Sequence, residues 1–206
     1  MKRRWVALAT LILVMFATGV ARPWRQIPAA WNPWEPLQLE HAMNPVTRWK
    51  LGRLASAPEQ CVAVLDEATD DRLDYVVLRD YLPVKDCPLR NVVQLRRTST
   101  RFSAPFTVTC PLAVAWLLYE QRLQRLAEVQ FGSAIGTVEH LGSFACRNVY
   151  HRASGRRSEH ATASALDIAA FVLTDGTRVR ILDDWDSAAA PGKAAFLHDT
   201  HAAACA

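Results

Sequence analysis

Ser158-Glu159-His160-Ala161-Thr162-Ala163-Ser164-Ala165-Leu166-Asp167-Ile168-Ala169 is a polar turn that empties into an apolar run. Read as a strand over 165–173, the run puts Ala165, Asp167 and Ala169 on one face and Leu166, Ile168 and Ala170 on the other. Asp167 is then expected to be a buried carboxylate among small residues, in need of a cation, a metal or several donors. His160 precedes it by seven positions. On one helix that spacing is about 10 Å along the axis, too far for both side chains to ligate one ion at about 2 Å. If residues 161–164 reverse the chain, the two side chains meet and can share zinc. If they do not, His160 closes the loop and Asp167 pairs with Arg147, Arg156 or Arg157. A polar loop, Tyr150 to Arg157, leads into this block. Loops that enter rigid strands are common places for sites.

Working outward, 73–79, 91–95, 101–108 and 135–146 are strand candidates, and 165–173 and 177–182 flank Asp175-Gly176, a strong hairpin-turn signal. The best helix runs from Pro111 to about Gln130. Leu112, Ala115, Trp116, Tyr119, Leu123 and Leu126 recur at spacings of three and four, and Gly132 stops it. Asn44-Pro45 looks like an N-cap with proline at the first helical position, opening a short helix that ends near Ser56. Ser56 to Glu59 has capping-box spacing for a second helix with Cys61, Val62, Val64 and Leu65 inward. A last helix is expected from Phe196 to Ala204. The pattern indicates an α+β fold, with helices packed on a small antiparallel sheet.

The chain has 206 residues, half of them hydrophobic and 21% charged. That composition excludes disorder, collagen and a coiled coil as the main architecture, and the single long apolar run excludes a multi-pass membrane protein. Lys2, Arg3, Arg4, Arg22 and Arg25 flank that run, Trp5 to Ala21. Without those five the remainder is close to neutral, so bulk charge gives no reason to expect a nucleic-acid partner. Residues 1–25 therefore read as a membrane anchor or signal sequence. Residues 5–21 would cross the inner membrane once, or cleavage near Ala21 would release the chain to the periplasm. Residues 26–43, with Trp31 and Trp34 among prolines, read as a stalk, and 44–206 as the folded domain. Five cysteines without a C-x-x-C fit an oxidising compartment and leave at least one unpaired within the chain. The expected bridges are Cys61–Cys87, closing a short loop, and Cys146–Cys205, a long-range tie.

Ser158-x-His160-x-x-Ala163-x-Ala165-x-Asp167 resembles the S-x-H-x-x-G-x-A-x-D signature of zinc D-alanyl-D-alanine carboxypeptidases and dipeptidases. More closely, the chain resembles bacterial proteins with an extensin-like C-terminal domain. That likeness runs through Trp31 to Trp34, Thr47 to Leu51, Thr109 to Ala113, Gly142 to Asn148 and Ser158 to Ala169. The resemblance implies a peptidase-like α+β fold and assigns roles. His160 and Asp167 match two zinc ligands, Arg147 an oxyanion-stabilising cation, and Ser158 a hydrogen-bonding residue of the motif. It also implies a peptidoglycan peptide as substrate. The chain departs from the pattern at its end, where the family continues into an H-x-H-like segment bearing the third ligand. The domain is therefore expected to be C-terminally incomplete and its zinc chemistry impaired. The alternative is a non-catalytic envelope binding or structural domain. His198 and His201, three apart, and His140 and His151 are the spare histidines.

Overall fold

The computed structural model describes residues 27–68 and 73–205, together with Arg4, Trp5 and Thr10. Most of the expected anchor, and its cleavage point, lies outside the described residues. Among those described, no helix is long and apolar enough to cross a membrane. The chain forms two compact units, 1–50 and 51–206.

In the first unit a 3-10 turn, Ala29–Trp31, precedes helix α1, Pro45–Arg53, whose last three residues fall in the second unit. Asn44 caps α1 as expected, its Oδ1 accepting from the Val46 and Thr47 amides at 2.8 and 2.9 Å. Lys50 is buried and donates through Nζ to the Ala29 and Pro36 carbonyls.

The second unit is α+β. Helix α2 spans Pro58–Glu67 and buries Cys61, Val64 and Leu65. The capping box fails here. Ala57 is the N-cap, and the Ser56 hydroxyl instead donates back to the Arg53 carbonyl. The strands among the described residues are β1 Asp74–Val77, β2 Tyr81–Val84, β3 Cys87–Leu89, β4 Val92–Arg97, β5 Arg101–Thr109, β6 Ile135–Gly142, β7 Asp167–Leu173 and β8 Arg178–Arg180. Helix α3, Cys110–Phe131, separates β5 from β6; the short α4, Ile181–Asp184, and α5, Pro191–Cys205, close the chain.

Six strands form one sheet in the order β1-β4-β5-β6-β7-β8, and β2 and β3 form a separate hairpin. The sheet is mixed, which corrects the antiparallel expectation. β5 and β6 run parallel because the 22 residues of α3 lie between them, and parallel neighbours need such a crossover. α3 ends where expected: Gly132 takes φ 66°, and its amide donates to the Glu128 carbonyl at 2.9 Å. The β7–β8 turn is the expected one, with Gly176 at φ 88° and Asp175 Oδ1 accepting from the Thr177 amide. Leu65, Leu89, Leu95, Val108, Leu123, Val138, Phe171 and Phe196 lie fully inside. Inside too, Glu120 of α3 accepts from the Thr98 and Thr100 hydroxyls at 2.6 Å each and from the Thr100 amide at 2.9 Å, which fixes the β4–β5 turn.

Both expected disulfides are wrong. The bridges are Cys61–Cys110 and Cys87–Cys146, and the exposed Cys205 is the unpaired one. Pairing follows tertiary approach, not sequence spacing: the two Cα pairs are 6.1 and 5.8 Å apart, inside the range a disulfide spans. Cys61–Cys110 ties α2 to the start of α3. Cys87–Cys146 ties the separate hairpin to the segment that leads into the polar loop.

Candidate metal centre

The segment after β6 doubles back on itself. The Ala145 amide donates to the His160 carbonyl, the Ser158 amide to the Arg147 carbonyl, and the Val149 amide to the Arg156 carbonyl, each at 3.0 Å. Asn148 and Arg157 form an antiparallel bridge within the same register. The polar loop is therefore a short hairpin arm, and its register sets Arg147 opposite Ser158. Among the described residues no ion pair holds the Arg147 guanidinium, so backbone pairing alone ties Arg147 to the motif.

The arm delivers the chain into a 3-10 turn, Glu159–Thr162. Ser158 is its N-cap, with the side chain accepting from the His160 amide at 3.4 Å. Ala163 ends the turn in the left-handed region, φ 56° and ψ 32°. That reversal is the one the sequence required of residues 161–164, made by an alanine where the peptidase signature carries glycine. Two contacts hold it. The Thr109 amide donates to the Ala163 carbonyl at 3.0 Å, and the methyl is fully buried against Leu89 and Val92, with Leu78 and Phe144 packed alongside.

The outcome is that His160 Nε2 lies 3.3 Å from Asp167 Oδ1. The other ring nitrogen, Nδ1, is 3.1 Å from the Ser143 carbonyl. A carbonyl only accepts, so Nδ1 carries the hydrogen, and in the neutral ring Nε2 presents its lone pair to the carboxylate. Two acceptors at this distance repel unless a cation joins them, either a proton on Nε2 or a metal ion. An ion bound tetrahedrally at about 2.0–2.1 Å from each donor would hold them roughly 3.3 Å apart. The donor types, the separation and the fixed tautomer all fit zinc. Among the described residues, no group of three or more His, Cys, Asp or Glu is placed to hold a metal.

The imidazole is largely enclosed at 12% exposure, but the Asp167 side chain is 58% exposed. This corrects the expectation of a buried carboxylate. Asp167 is the first residue of β7, opposite Gly142 at the end of the β6–β7 pairing, and among the described residues its side chain is left open. It pairs with His160 and with none of the three arginines considered. Three of the four spare histidines are engaged elsewhere. His140 Nε2 is 2.9 Å from the Ala104 carbonyl, with its ring packed on Phe106. His198 lies tilted against the Trp185 ring and His201 meets that ring edge-on, and His198 also meets Asp186. His151 is exposed on the arm, at φ 55°. Sequence reasoning missed Ser143, whose contribution is a main-chain carbonyl that any residue could supply.

Residues 59–206 match the family described as extensin-like protein C-terminus. No curated protein and no solved structure matches the chain.

Proposed function

We propose, for a chain that belongs to the extensin-like C-terminal family, that His160 and Asp167 hold a zinc ion in an exported, membrane-tethered peptidase-like domain. The observation that carries the reading is the 3.3 Å approach of Nε2 to Oδ1, with Nδ1 anchored on the Ser143 carbonyl. When bound, zinc polarises a carbonyl oxygen and brings a bound water toward neutral pKa. The chain's own groups do the rest. Ser143 fixes the ring, Ser158 caps the turn that carries it, and the exposed Asp167 leaves the site open to a peptide from solvent. Arg147, opposite Ser158 in the arm, supplies a cation for charge developing on the attacked carbonyl. The resemblance to D-alanyl-D-alanine peptidases makes a peptidoglycan stem peptide the proposed substrate, and the periplasmic face of the inner membrane the proposed location.

A second reading is a non-catalytic envelope-binding domain. It is favoured by the grouping of only two donors among the described residues, since catalytic zinc ordinarily takes three protein ligands. Zinc measured after equilibrium dialysis of the full chain separates the two. One zinc per chain, lost in His160→Ala and in Asp167→Asn, supports the first. Zinc-free protein that still sediments with peptidoglycan supports the second. Zinc that survives both substitutions places the metal elsewhere and removes the proposal.

A further inference from the structure

Strand β2 departs from the pattern of its unit. Tyr81, Leu82, Pro83 and Val84 are exposed at all four positions, the three large apolar side chains at 43, 59 and 45%. A strand with one packed face alternates in exposure, so this one has no core on either side. Its partner does alternate, with Cys87 and Leu89 buried. The hairpin is thus pinned through β3 and presents β2 outward. Exposed apolar side chains grouped on one short strand suit a docking surface.

The neighbouring surface indicates what docks there. Cys87–Cys146 joins the hairpin to the root of the 147–158 arm, and Cys146 Sγ lies 3.8 Å from the Lys85 carbonyl at the hairpin turn. The arm carries Arg147, Arg152, Arg156 and Arg157 and no acidic residue. Tyr150 is 80% exposed, with the Arg152 guanidinium 5.7 Å over its ring. Around the hairpin, Arg79, Lys85 and Arg90 outnumber Asp80 and Asp86. The two elements together hold seven basic residues against two acidic ones. An apolar strand alone would suit a protein partner, and the arginines alone a soluble polyanion. Exposed aliphatics, aromatic rings and arginines, on two elements joined by a disulfide, complement the interface of an anionic bilayer.

We infer that β2 and the 147–158 arm dock this unit on an anionic lipid surface, independently of residues 5–21. The apolar residues enter the headgroup layer and the arginines meet lipid phosphates. Since the arm runs directly into Ser158 and the His160 turn, docking holds the candidate centre at the lipid surface.

The test uses the full chain in nanodiscs of neutral phosphatidylcholine and in nanodiscs containing phosphatidylglycerol, read by amide hydrogen exchange. Exchange at residues 81–84 and 150–157 is expected to slow about tenfold or more in the anionic discs only. Each basic residue at an anionic surface is worth roughly a fivefold change in binding. Arg152→Glu/Arg156→Glu/Arg157→Glu should therefore abolish the protection, and Leu82→Asp, at an exposed position, should do the same without disturbing the core. Equal exchange in both disc types overturns the inference. So does equal protection by soluble polyphosphate, which would indicate a polymer ligand, or protection that rises with protein concentration without lipid, which would indicate a second copy.

Discussion

Among the described residues two histidines face an aspartate, and the proposed metal centre uses one of the two pairs. His160 Nε2 is 3.3 Å from Asp167, and His198 Nε2 is 3.5 Å from Asp186. Distance does not distinguish them. At the first pair the second ring nitrogen is bonded to the Ser143 carbonyl, the backbone is held in a capped turn, and the imidazole is 12% exposed. At the second the histidine is 51% exposed on α5, its ring resting on Trp185 at 4.5 Å, and its aspartate is 83% exposed. Exposed ion pairs of that kind contribute little. A donor pair becomes a grip when its geometry is fixed before the ligand arrives.

The sharpest way to break this comparison is to remove one histidine at a time. His160→Ala is expected to weaken zinc retention about 100-fold or more, consistent with loss of a direct donor. His198→Ala should leave it unchanged within about twofold; equal losses would mean that anchoring counts for nothing. Next in size is the covalent support of the first site. Cys146→Ser should cost about 3 kcal/mol in chemical denaturation, whereas Cys205→Ser should change stability by less than about 0.5 kcal/mol. The left-handed residue beneath His160 comes third. Ala163→Val should cost about 2 kcal/mol, since a branched side chain fits neither that backbone nor the filled space around it. Ala163→Gly should stay within about 1 kcal/mol, relief of backbone strain being offset by the lost buried methyl and added chain freedom.

The smallest effect concerns the second region. Burial pushes the Tyr119 phenol from 10 up to about 12, with a hydrogen bond to Thr200 of α5 acting against the shift. A raised folded-state value means the folded protein keeps its proton longer, so the associated stability is intact below pH 10 and falls between pH 10 and about 12. Tyr119→Phe should flatten that alkaline decline. Hydrogen exchange should show it first in α5, which bears His198, with the His160 turn affected later.

Much of this was legible in the sequence, for local reasons. Helix α3 and its Gly132 stop, the Asn44 cap and the Asp175-Gly176 turn are written in residues close together along the chain. So was the need for a reversal between His160 and Asp167. Features that depend on tertiary approach were not. The parallel β5–β6 pair exists because α3 packs back on the sheet. Both disulfides join residues about fifty or more positions apart, at separations of 49 and 59. The β2–β3 hairpin escaped notice because Pro83 and Pro88 demote short strands, and because β2 lacks the alternation that betrays a packed strand. Asp167 was misjudged because a run of small apolar neighbours implies burial, although a strand's first residue can project past the layer that covers the rest.

The two bridges interleave: Cys87 lies inside the span closed by Cys61 and Cys110, and Cys110 inside the span closed by Cys87 and Cys146. A chain oxidised thiol by thiol in order of emergence would join Cys61 to Cys87 first, and that union is absent from the finished protein. Maturation must therefore either withhold oxidation until α3 has brought Cys110 to Cys61, or undo an early mistake by exchange with a later thiol. A chaperone with isomerase activity would speed the second route, and a chain ending before Cys146 could still close Cys61–Cys110 but would leave Cys87 without its partner.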